Sequence, residues 1–113
     1  MSKKAREISK DNLAELQITE QALQNLLLQK QVFQIELVEV NNAIEELKKS
    51  KDGEVFKIVG SLMFKSNREE LMKEMEKKKE LLDLRIRAIE KQEESIKNKL
   101  TRAREEVLKD LKK

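Results

Sequence analysis

Apolar positions recur in alternating steps of three and four residues along two long stretches of this chain. From Leu16 to Leu47 the seam reads Leu16, Thr19, Leu23, Leu26, Lys30, Phe33, Leu37, Val40, Ile44, Leu47. From Met72 to Val107 a second reads Met72, Met75, Lys79, Leu82, Ile86, Ile89, Glu93, Ile96, Leu100, Ala103, Val107. A heptad period sustained this long predicts coiled coil and leaves no globular core in which to bury an active site. Between the seams the period changes. Val55-Phe56-Lys57-Ile58-Val59 and Leu62-Met63-Phe64-Lys65 are short β-type runs flanking Gly60-Ser61, a Gly-X link that predicts a type II′ hairpin.

The predicted elements are a first helix within 1–50, a hairpin over 54–65 and a second helix over 67–111. The basic start, with Lys3, Lys4 and Arg6, is expected to fray up to about Ile8. Lys48 and Lys49 complement the first helix's dipole, and Asp52-Gly53 supplies its stop. Ser66-Asn67-Arg68-Glu69 reads as an S-x-x-E capping box opening the second helix. The fold class is mainly α: a long antiparallel two-helix coiled coil joined by a single β-hairpin. Aligning Leu47 with Met72 pairs Ile44 with Met75, Leu37 with Leu82, Phe33 with Ile86, Leu23 with Ile96 and Leu16 with Ala103. Apolar thus meets apolar except at Val40–Lys79, Lys30–Ile89, Leu26–Glu93 and Thr19–Leu100. Lys30 and Glu93 fall in adjacent layers, where an ion pair would fix register. The other arrangement lets each stem reach solvent on its own.

In the expected hairpin register Val55, Val59, Leu62 and Phe64 share one face, and Phe56, Ile58 and Met63 the other. A two-stranded hairpin is marginal alone. One that is greasy on both sides predicts assembly with the hairpins of other subunits into an intersubunit β platform. Two further apolar stripes lie off the seams, Leu28, Val32 and Ile35 on the first helix and Leu81, Leu84 and Ala88 on the second. They suit either a neighbouring subunit or a bound polypeptide.

Composition narrows the chemistry. Of the 113 residues 42% are charged, yet 25 basic against 22 acidic leave a net +3, the balance of solvated helix faces. With no Cys and no His, disulfides, thiol chemistry, imidazole bases and the usual zinc sites fall away. No metal or cofactor is expected. Carboxylates abound, but without a pocket to tune them no enzyme is indicated. No apolar run approaches a membrane span and no signal peptide is visible, which predicts a cytoplasmic protein without a membrane partner. Basic residues are diluted by acidic neighbours and no aromatic platform exists for stacking bases, so nucleic acid is not an expected partner.

In this architecture Glu54-Val55-Phe56-Lys57 through Gly60, Glu69-Glu70-Leu71, and Arg85-Ile86-Arg87-Ala88-Ile89-Glu90-Lys91-Gln92-Glu93-Glu94 resemble the beta-type subunit of prefoldin. The likeness runs along essentially the whole chain, and the single hairpin points to the beta type over the two-hairpin alpha type. The resemblance implies a hetero-hexamer of two alpha-type and four beta-type subunits. It implies an ATP-independent chaperone that captures non-native polypeptides at coiled-coil tips and hands them to a group II chaperonin.

The expected oligomerisation hairpin is Val55, Phe56, Ile58, Val59, Leu62, Met63 and Phe64. The expected client-binding tip is Ile8, Leu13, Ile18, Leu108 and Leu111, set where both helices end and can splay. Lys109, Lys112 and Lys113 are candidates for an electrostatic contact with an acidic chaperonin rim; a merely solubilising terminus is the plainer reading of the same charges. The alternative function is a structural or adaptor coiled coil that dimerises in parallel through its seams.

Overall fold

Side chains at each junction decide where one element gives way to the next. The structure, a computed structural model, describes residues 9–50 and 53–112. Ile8, the basic start, Asp52 and Lys113 lie outside them. Helix α1 spans Lys10–Lys49 and helix α2 spans Arg68–Lys112. Between them β1, Glu54–Val59, pairs antiparallel with β2, Leu62–Asn67.

Ser9 caps α1: its Oγ accepts the Asn12 backbone N–H at 3.4 Å and its carbonyl accepts that of Leu13 at 2.9 Å. The far end of α1 carries Lys48 and Lys49 in its last turn, as the dipole favours. There Arg68 Nε donates to the Leu47 carbonyl at 2.5 Å, satisfying one of the acceptors every helix C-terminus leaves open.

The hairpin register is Phe56↔Lys65, Lys57↔Phe64, Ile58↔Met63 and Val59↔Leu62, as the two-residue link predicts. Gly60 has φ +62° and no other described residue a positive φ, which fits type II′ and excludes type I′. Pairing continues beyond the expected strand end, with Val55↔Ser66 and Glu54↔Asn67, and the Arg68 N–H donates to the Gly53 carbonyl at 3.0 Å. This extension moves the cap. Ser66 stays in the strand, and Asn67 Oδ1 accepts the Glu70 N–H at 2.8 Å. The capping sequence is therefore Asn67-Arg68-Glu69-Glu70, one residue later than spacing alone suggests.

The chain forms two compact units, Val32–Ile86 in one and Met1–Gln31 with Arg87–Lys113 in the other. In the Val32–Ile86 unit Val40, Ile44 and Leu82 form the core, with Phe33, Leu37, Met72 and Met75 packed against it. Leu82 is 1% exposed. The Arg85 guanidinium lies 5.6 Å from the Phe33 ring centroid, a cation–π contact. With Arg68 at Leu47 and Arg85 at Phe33, the α1 and α2 stretches of this unit run antiparallel. The other unit repeats the plan around buried Leu26, Ile89, Leu100 and Ala103, with Thr19 and Glu93 buried among them. Thr19 keeps its hydroxyl satisfied by donating to the Glu15 carbonyl at 2.7 Å.

Every residue of both predicted seams is buried or half-buried except Lys79. Its long stem carries the ammonium to solvent, so the expected Val40–Lys79 layer is closed by apolar neighbours instead. The seams are spent within the chain. A parallel dimer zipped through the same residues would have to break these contacts.

Candidate interaction surfaces

The hairpin is the first candidate surface. Phe56, Ile58 and Met63 stand on one face at 61, 68 and 64% exposure. On the other, Val59, Leu62 and Phe64 are also exposed, and only Val55, Lys57 and Ser66 are half-buried. Lys57 Nζ pairs with the Glu74 carboxylate on α2, which ties that second face to the helix near its base. Across the strands Lys65 Nζ meets Glu54 Oε1 at 3.0 Å. Apolar side chains thus crowd both sides of a sheet whose two outer edges have no strand partner among the described residues.

The second surface lies where α1 begins and α2 ends. Asp110 Oδ2 accepts the Ser9 backbone N–H at 3.0 Å and the Asn12 side-chain amide at 2.9 Å. An aspartate in the last turn opposes its own helix dipole, but here it meets the positive N-terminus of α1. The expected free splaying of the two ends is therefore restrained by this clamp. Leu13 follows Asn12 directly and is 39% exposed, and Leu108 and Leu111 flank Asp110 at 51% each. Leu108 shares a shallow hollow with Glu105, Lys109 and Lys112.

Ile18 does not join Leu13. Five residues along a helix turn a side chain by roughly 140°, and Ile18 is 70% exposed on another face of α1. Of the basic candidates, Lys109 Nζ pairs with Glu106 Oε1 at 3.3 Å and Lys112 is exposed. Ile8 and Lys113 fall outside the described residues.

Charges inside the seam are arranged as one network. Lys30 Nζ lies 3.2 Å from Glu93 Oε2 and 3.7 Å from Glu90 Oε2, while Lys97 Nζ lies 3.3 Å from Glu93 Oε1. The hydrogen bond from Lys30, then that from Lys97, holds the Glu93 carboxyl below its ordinary pKa. The bond to Glu93 raises Lys30 despite partial desolvation. The ion pair expected from adjacent layers is present. Asp110 is a contact residue that heptad spacing does not mark, although an acid opposing its own helix dipole is a usable signal in the sequence. Among the described residues no cluster of acidic side chains could hold a metal ion, and no helix is long and apolar enough to cross a membrane.

Comparison with known proteins agrees with this geometry. A family model described as "Prefoldin subunit" matches residues 10–113. The chain belongs to the prefoldin family. Among similar prefoldin proteins, "Prefoldin subunit beta" of Pyrobaculum arsenaticum is 38% identical over 90 residues, covering 79% of this chain and 73% of the relative. That of Saccharolobus islandicus is 40% identical over 89 residues, covering 78% and 71%. The crystal structure of the prefoldin beta subunit from Thermococcus strain KS-1 superposes with a TM-score of 0.81 at 30% identity, covering 96% of this chain and 98% of that one. The helix–hairpin–helix plan is thus the prefoldin beta plan.

Proposed function

We propose that this chain is the beta-type subunit of an ATP-independent chaperone. In this reading four copies join two alpha-type subunits through their hairpins, and the surface where α1 begins and α2 ends captures non-native polypeptides for a group II chaperonin. The observation that carries it is the hairpin exposed on both faces. Phe56, Ile58 and Met63 on one side and Val59, Leu62 and Phe64 on the other give apolar surface that a single chain leaves wet. Sheets from several subunits would bury both faces and occupy the open edges at once. Leu13, Leu108 and Leu111 supply the client contact, adaptable because each is only partly engaged within its own chain. Lys109 and Lys112 offer a salt-sensitive contact to an acidic chaperonin surface. The work is binding, with no enzymatic step, no cofactor, no nucleic acid, and a cytoplasmic setting.

Native mass spectrometry after co-expression with an alpha-type partner tests the assembly: a hexamer of two and four is expected, and a stable monomer would refute it. Client capture is tested by aggregation of a denatured substrate. Replacing Leu13, Leu108 and Leu111 together by Ser should weaken suppression severalfold while the hexamer stays intact. Undiminished suppression would remove these residues from the contact.

A further inference from the structure

Helix α1 carries a second heptad-spaced row that the described residues leave exposed. Ile18, Gln21, Asn25 and Leu28 follow one another by three, four and three residues, and all are exposed, Ile18 at 70% and Leu28 at 61%. The same spacing continues in the sequence at Val32 and Ile35, both also exposed. Neither of the two polar members lacks a partner: Gln21 Nε2 donates to Asn25 Oδ1 at 3.1 Å, along the seam itself. Beside the seam stand Gln17, Ala22, Gln24, Gln29 and Gln31. In a chain so rich in charge, Lys30 is the sole charged residue from Gln21 to Ile35, and it is engaged with Glu93. In the same unit α2 presents Glu90, Lys91, Glu94 and Lys97 to solvent, so the neutral character belongs to α1 alone.

We infer that this uncharged face of α1 is a docking site for amphipathic helices of non-native polypeptides, a site separate from Leu13, Leu108 and Leu111. It rests on the client-capture reading above and names a class of client segment. Spacing identifies the occupant's shape, because alternating steps of three and four accept the knobs of another helix and match no extended strand. The neutral flanks identify its breadth. Flanking charges are what select a coiled coil's partner and orientation, and here amides that pair with either sign replace them. A fixed partner would leave such selectors, whereas a shifting population of clients is served by their absence. A short seam with two amides in it holds weakly, which suits a client that must be released.

The test titrates the assembled full-length protein with labelled amphipathic helical peptides of about three heptads, bearing neutral, acidic or basic flanks, and with a proline-broken version. The three helical peptides should bind within a fewfold of each other and the broken one much more weakly. In I18Q/L28Q the helical peptides should bind roughly tenfold more weakly, from the loss of two apolar anchors. Equal binding to that variant, equal binding of the proline-broken peptide, or a marked preference for one flank charge would overturn the inference. So would a lower native mass for I18Q/L28Q, which would make the occupant a copy of this chain. Suppression of client aggregation by the wild type, lost on replacing Leu13, Leu108 and Leu111, reports on the capture reading whatever the peptides do.

Discussion

Lys30 and Glu93 show how a charged pair is tolerated inside an apolar seam. Each is costly there without the other. Lys30→Leu should therefore melt lower than wild type, because Glu93 keeps only Lys97, and the Lys30→Leu/Glu93→Leu double variant should recover part of the loss. A double-mutant cycle in thermal melting that shows no coupling would reject the pair as a unit. The pH dependence has a definite sign. Glu93 is lowered, so its stabilisation is present above the ordinary glutamate pKa of about 4.3 and is lost as pH falls through its depressed value. Lys30 is raised, so its share is present below about 10.4 and is lost as pH climbs through the raised value. Between those limits the gap in melting temperature between wild type and double variant should be flat, and it should narrow on both sides. At the other end of the same unit, Asp110→Ala removes two hydrogen bonds of roughly 1–2 kcal/mol each. Amide exchange over Ser9 to Leu16 should accelerate at least tenfold while exchange near Leu82 stays unchanged.

At the scale of single elements, the hairpin and its junction with α2 depend on two residues. Gly60 holds φ +62°, with open space where a Cβ would stand. Gly60→Ala meets no clash with neighbours and should still cost about 1–2 kcal/mol through its own backbone; Gly60→Asn should cost less. Asn67→Ala removes the α2 cap and should cost about 1 kcal/mol, whereas Ser66→Ala should be milder. Equal effects in a chemical melt would restore Ser66 as the cap. Spacing made both helices, the turn and the register legible, since a change of period and a Gly-X link are local signals. It misplaced the cap by one residue, because Ser66 and Asn67 are both good caps and strand pairing with Val55 decides between them. The Arg68 bond to the Leu47 carbonyl carries no sequence signature, for it joins residues on either side of the hairpin.

For the molecule as a whole, the contrast is between surface that is used up and surface left over. Both heptad seams are consumed by contact within the chain, and Leu82→Ala should cost roughly 2–5 kcal/mol, read as a lower melting midpoint with helix content retained at low temperature. The hairpin is left over. Phe56→Ser/Ile58→Ser/Met63→Ser should leave the far-ultraviolet signature of α1 and α2 intact while native mass falls from the proposed hexamer to smaller species. A hexamer surviving this triple change would deny that face a part in assembly. The candidate tip was only partly readable. Leu108 and Leu111 stand together because they lie one turn apart on a single helix, but Leu13 and Ile18, both off the seam near the start of α1, are separated by helical rotation.

The sequence by itself determined the two seams, the hairpin register, the antiparallel pairing and the family, because heptad spacing and turn chemistry act between near neighbours and repeat many times. Tertiary structure alone decided that Lys79 leaves its seam, that Asn67 caps α2, and that Asp110 holds the start of α1. The first is one stem turned to solvent and the other two are single contacts, between groups competing at one junction or far apart in the chain, with no repetition to reveal them.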